Sequence, residues 1–180
     1  MKETIRHKSG FTLIELLVVI AIIGLIATMA VVSFGNARDK AKAASILANF
    51  KNIEKGMALY KESLGLAAWW RENTLAGTDP EEISNILNLN PAMRDYLPQA
   101  PTDGNYQYDN DGNAYDPDGD GCGPWSGGVG IFLFNLNNDD VAEALDQMVD
   151  DGDGGTCGKI LYQAGSIDYI IASDENSAAY

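Results

Sequence analysis

The chain has 180 residues, 46% of them hydrophobic, which suits one compact domain plus an appendage, and it carries a formal net charge of −14 at pH 7. The charge is unevenly spread: from Leu66 onward only Arg71, Arg94 and Lys159 stand against 21 acidic residues. Such a surface repels phosphates, which argues against DNA or RNA binding by this part and suits a soluble domain or one that collects cations.

At the start of the chain, Lys2, Arg6 and Lys8 face one acid, Glu3, and from Phe11 to Phe34 the sequence is apolar apart from small residues and a single carboxylate, Glu15. As a helix, these roughly 24 residues would extend about 36 Å, enough to cross a hydrocarbon core of ~30 Å. A cleaved secretory signal is the plainer alternative, but its apolar region is usually ~7 to 15 residues and ends at a small-residue cleavage site. No A-x-A follows this longer run. The basic residues ahead of it place the N-terminus in the cytoplasm and the remainder outside. A carboxylate inside hydrocarbon is costly unless paired and is functional by default; the bland reading is a glutamate snorkelling at the interface.

Lys8-Ser9-Gly10-Phe11-Thr12-Leu13-Ile14-Glu15 resembles the prepilin signature of type IV pilins and type II secretion pseudopilins. The resemblance covers about 25 residues and implies cleavage by a prepilin peptidase after Gly10, N-methylation of Phe11, and a role for Glu15 in assembly. The new amine of an incoming subunit would pair with the Glu15 carboxylate of its neighbour and relieve the cost of burying it. It further implies a type IV pilin fold of class α+β, a long N-terminal helix packed on a small antiparallel sheet.

Past Phe34 no proline interrupts the chain before Tyr60, and Ile46, Phe50, Ile53, Met57, Tyr60 and Leu64 recur at four- and three-residue steps. One apolar helix face is the consequence. A single helix is therefore expected from about Thr12 to Leu64, with a membrane or filament-core half over 11–34 and an amphipathic half over 35–65. Gly24 and Gly35-Asn36 are places where it could bend. A head over 66–180 follows, after a leader over 1–10. Many type IV pilins carry a helix-melting proline near the end of the apolar run, which reads Met29-Ala30-Val31-Val32 here.

Trp69 and Trp70 are expected to anchor the connection in the core. Thr78-Asp79-Pro80-Glu81-Glu82 has the residues of a helix start, predicting a helix over Pro80 to Leu87, and Asn90-Pro91 begins a further turn that stops before Pro98. From Pro101 the pattern is that of strands: Asn105 to Tyr108, Val129 to Leu136, Lys159 to Tyr162 and Ile167 to Ala172, forming a sheet over the helix stripe. Asp140 to Val149 has helical spacing of Val141, Leu145, Met148 and Val149. Leu145 to Ile160 resembles the aspartate-rich turn before a strand in pilin heads, and Pro101 to Tyr108 resembles the turn-strand of major pseudopilins.

Two constellations in the head carry chemistry. Cys122 and Cys157 lie in a compartment that permits oxidation and would most economically form one disulfide, closing a loop of about 36 residues and contributing roughly 3 to 4 kcal/mol on the chain-entropy model. A metal site on the two thiols is the rival, lacking two further soft ligands. Pilin heads often carry such a bridge, as the resemblance implies. In "DNDGNAYDPDGDG", Asp116, Asp118, Asp120 and Gly121 have the D-x-D-x-D-G spacing of a Ca²⁺ loop, but position twelve is Gly127 rather than a glutamate. The alternative to Ca²⁺ is a set of solvated Asp-Gly turns.

The chain's one histidine, His7, sits in the leader, so no imidazole remains in the mature chain for a triad or a zinc site. No enzymatic activity is expected. The reading is a structural subunit of an extracellular type IV pilus, a homopolymer built through its N-terminal helix. Its partners would be copies of itself, the prepilin peptidase, the pilus assembly platform and, before assembly, the inner membrane. A type II secretion pseudopilin is the alternative within the family; from another class, the alternative is a single-span membrane protein with a Ca²⁺-binding ectodomain.

Overall fold

The computed structural model describes residues 11–70, 80–110, 129–136, 138–149, 158–163 and 165–172. The chain divides into two compact units, Met1–Arg38 and Asp39–Tyr180, and helix α1, Leu13–Ser63, contributes to both. It is one unbroken helix: Gly24, Gly35 and Asn36 all stay helical.

In the first unit the apolar side chains of α1 have no protein around them. Ile14, Ile20, Leu25 and Val31 are each 59–72% exposed, and the most apolar window of the helix is wholly unburied. A surface of this size does not face water in a stable soluble protein. Length and composition fit a bilayer crossing.

In the second unit α1 is the spine of the head. Ala43, Ile46, Phe50, Ile53, Met57 and Tyr60 are buried at the expected spacing. Leu64, expected in the same stripe, is 52% exposed, because α1 ends before it. The stop is a Schellman motif: Gly65 takes φ 69°, its N–H donates to the Glu62 carbonyl and the Leu66 N–H donates to the Lys61 carbonyl. A left-handed residue is needed there, and glycine adopts it without a Cβ penalty.

Among the described residues five strands form one antiparallel sheet: β1 Glu81–Glu82, β2 Asn105–Asp109, β3 Val129–Leu136, β4 Ile160–Gln163 and β5 Gly165–Ala172, in the spatial order β1-β2-β3-β5-β4. Alternation turns Tyr106 and Tyr108, Val129, Ile131 and Leu133, and Ile167 and Tyr169 into the core, all of them buried. Phe50 sits at its centre, fully buried, stacked on Tyr169 with ring centroids 5.3 Å apart and edge-on to Tyr106 at 5.6 Å. These arrangements are the ones aromatic quadrupoles favour, so α1 and the sheet are joined by oriented rings as well as by burial. Between β3 and β4 comes α3, Asp139–Val149, which buries Val141, Ala142 and Leu145 but leaves Met148, expected in that face, 42% exposed.

The connection differs from expectation at one point. Glu81 and Glu82 are extended and pair with Tyr108 and Gln107 of β2, and helix α2 begins only at Ile83 and runs to Leu89. Ladder hydrogen bonds to β2 replace the two helical N–H groups that local capping would have served, and Glu82 becomes an N-cap without a side-chain bond. A 3-10 turn, Pro91–Asp95, follows as expected from Asn90-Pro91. Trp69 and Trp70 are buried, and the Trp70 carbonyl accepts from the Tyr108 hydroxyl and the Asn110 amide.

Two predictions test this packing. Gly56 of α1 faces the 96–97 backbone: a Cβ there would lie 2.8 Å from the Leu97 Cβ and 3.2 Å from the Tyr96 carbonyl oxygen. Alanine gains about 1 kcal/mol of helix propensity, but overpacking against backbone costs typically 1 to 3 kcal/mol, so Gly56→Ala is expected to lower the melting temperature in a detergent-solubilised thermal melt. Asp168 of β5 lies on the sheet face turned from α1 yet is only 5% exposed, and burial, with the charge of Asp109 in support, raises its pKa from 3.8 to about 8. The fold therefore favours the protonated acid; its stabilising share is complete below the unfolded value and is lost as pH rises through about 8. Asp168→Asn should gain on the parent between pH 4 and 8, by at most about 1.4 kcal/mol per pH unit, in melts across that range.

Candidate assembly site at the start of the long helix

The N-terminal end of α1 is a closed hydrogen-bonded unit. Thr12 is the N-cap and Glu15 the third helical residue, the positions of a capping box. The Thr12 N–H donates to Glu15 Oε2 at 2.8 Å, the Thr12 hydroxyl donates to the same oxygen at 2.7 Å, and the Glu15 N–H donates to Thr12 Oγ1 at 3.3 Å. The first turn thus satisfies two of its otherwise orphaned backbone donors, and a carboxylate in the first turn also meets the positive end of the helix dipole.

Among the described residues, those that line the cleft around this unit are apolar. Phe11, Ile14, Val18 and Val19 line a shallow cleft of about 360 Å³ with Glu15. Phe11 is 87% exposed and the Glu15 side chain is exposed as well. A carboxylate that accepts two hydrogen bonds is less costly to place among apolar groups than a bare one, yet it keeps its negative charge and lone pairs for a further cation. What the arrangement can do chemically is hold one anion at a fixed place on an apolar helix surface.

Of the residues singled out from sequence, the structure brings Phe11 and Glu15 to one cleft. Gly10, Cys122, Cys157, Asp116, Asp118 and Asp120 lie outside the described residues. Among the described residues no group of three or more His, Cys, Asp or Glu side chains could hold a metal ion. Thr12 is the site residue that sequence reasoning passed over as part of a signature. The T-x-x-E spacing ahead of an apolar run is a capping-box signal and would have found it.

A helix-start motif of this kind, on a bare apolar helix that continues into the spine of an α+β head, fits anchoring in a membrane by that helix. Comparison with known proteins agrees. Residues 5–31 match the family model described as the prokaryotic N-terminal methylation motif. The type II secretion system core protein G of Vibrio cholerae serotype O1 is 25% identical over 116 residues, which is 59% of this chain and 73% of that one. The protein of the same description from Klebsiella michiganensis is 27% identical over 113 residues, 57% of this chain and 73% of its own. No solved structure matches the chain significantly. The start of the chain thus carries the methylation motif, and the chain as a whole is similar to type II secretion core protein G.

Thr12→Ser should keep the cap, whereas Thr12→Val should remove the hydroxyl bonds and cost about 1 kcal/mol of helix-start stability. Faster amide hydrogen exchange at residues 13–16 in the valine variant alone, measured in detergent micelles, is the expected result.

Proposed function

We propose that this chain is a structural subunit of an extracellular filament of the type IV pilus kind, made as a prepilin, cut after Gly10 by a prepilin peptidase and methylated on the new amine of Phe11. The observation that carries this reading is the apolar half of α1: its side chains are exposed along the whole length that a membrane would cover, with one hydrogen-bonded carboxylate at the start. Lipid can cover that surface before assembly, and the same surfaces of other copies can cover it afterwards. Cleavage would create a cationic amine beside Phe11, and the Glu15 of a neighbouring copy is the anion suited to receive it.

Outside the membrane the head supplies the filament surface. The length of the head supports the pilus reading. A second reading, a pseudopilin of a type II secretion system, is favoured by both secretion-system relatives, whose likeness reaches beyond the helix over more than 110 residues. Catalysis has no part in either. Within the head, a Cys122–Cys157 disulfide belongs to this proposal, as does Ca²⁺ in the loop of Asp116, Asp118 and Asp120.

Intact-mass spectrometry of material sheared from cells of the native source tests the proposal. The expected species begins at N-methylated Phe11 and is lighter by two hydrogens for the Cys122–Cys157 bridge. A chain still carrying Met1 would overturn the processing step. A processed chain found with the cells and absent from the sheared fraction would transfer the assignment to the secretion pseudopilin.

A further inference from the structure

Copies of a chain with a formal net charge of −14 repel one another, so close packing of many copies needs its few cations at the contacts. Lys51 and Lys55 are one helical turn apart on α1, both exposed, and among the described residues neither makes an ion pair. Lys61 differs: its ammonium donates to the Ala67 carbonyl and lies 5.1 Å from the Trp69 ring centroid. Beside Lys55 opens a groove of about 510 Å³, with Asn49, Asn52 and Lys55 on the α1 wall and Tyr96, Pro98 and Pro101 on the other. Gly56 keeps it open, since it has no side chain on that wall. The groove thus offers one unpaired ammonium and the exposed Asn52 amide above a proline-lined wall, a match for a carboxylate-bearing helix turn.

The first turns of α3 carry such carboxylates: Asp139, Asp140 and Glu143 are all exposed. Within one copy they are held away from the groove. The Asn138 amide donates to the Asp39 carboxylate at 3.0 Å, fixing the start of α3 beside residue 39. Along α1 that point lies twelve residues before Lys51 and sixteen before Lys55, roughly 18 to 24 Å at ~1.5 Å per residue. The basic and acidic patches are therefore complementary in charge and separated along one axis, an arrangement that a second copy shifted along that axis satisfies.

We propose that the Lys51–Lys55 face and its groove dock the acidic first turns of α3 from a second copy of this chain. The contact rests on the filament reading above and adds to it a head-level interface apart from Glu15. It gives the acidic heads a specific attraction and a preferred stagger.

The test uses filaments of the full chain sheared from cells and treated with a zero-length carbodiimide cross-linker. Peptides joining Lys51 or Lys55 to Asp139, Asp140 or Glu143 are expected from filaments and not from the detergent-solubilised monomer. In parallel, the yield of sheared filament is compared for K51Q/K55Q and for A67E/L89E, which lowers the net charge equally at exposed positions elsewhere. The first should fall about tenfold or more, the scale of losing a close interfacial charge pair, while the second stays near the parent. Filaments without those cross-links, an undiminished K51Q/K55Q, or an equal fall in A67E/L89E would each overturn the docking and leave the filament reading standing. A parent chain that forms no filament at all would overturn both.

Discussion

An apolar helix half that none of the described residues covers is the constraint on which the rest depends. Burying a Leu, Ile or Val side chain is worth about 1.5 to 3 kcal/mol, and twelve such residues among those described lie exposed between Phe11 and Phe34. That free energy is out of reach of the folded monomer in water. Lipid or other copies of the helix could supply it. The head faces the opposite demand, since it must fold by itself on the remaining half of the same helix. Phe50, between Tyr106 and Tyr169, is how it does so: a ring fully enclosed by two strands of the sheet fixes which face of α1 is occupied and leaves the opposite face free.

Charge is handled differently at the two ends of α1. In the apolar half there is one anion, and Thr12 supplies two donors to it, so Glu15 is held in the first turn before any partner arrives. A charge fixed in position loses little further entropy on pairing, which makes it a better anchor than a free-swinging glutamate. In the head, acids outnumber bases, and the fold shields one of them by neutralising it: Asp168, close among apolar neighbours on the outer side of β5, is held as the acid to about pH 8. Among the described residues, the exposed Asp139, Asp140 and Glu143 of α3 and Lys51 and Lys55 of α1 make no ion pair within the copy. Such charges stabilise little in isolation but become informative where two copies meet.

The long helix was legible because its first half is long and apolar and its second half has a regular 3.6-residue stripe, and β3 was legible to the residue because Val129 to Leu136 is bounded by glycines and an asparagine pair. Strand β1 was not. Its two glutamates look like the acidic first turn of a helix, and only the neighbouring Tyr108 and Gln107 backbone makes them extended. Leu64 was misplaced for a related reason, because a periodic pattern carries no mark of its own end; the mark was Gly65, one residue on, in a left-handed conformation. Asp168 could not be read at all. Strand alternation assigns it to the outer face, where an aspartate is ordinarily solvated, and its burial depends on what covers that face.

At the site, the same distinction separates what a motif encodes from what a fold adds. Gly10, Phe11 and Glu15 were readable because the methylation motif that residues 5–31 match is a local stretch of sequence. Thr12 was equally local, but attention to the charge of Glu15 obscured the fact that T-x-x-E is a backbone motif as well. The two roles are coupled. The hydrogen bonds that start the helix are made to Oε2 of the carboxylate that would face an incoming amine, so folding of the first turn and presentation of the anion are one event. An amine arriving at Glu15 meets a carboxylate whose orientation the backbone has already set, and the other oxygen of that carboxylate remains free of the Thr12 bonds to receive it.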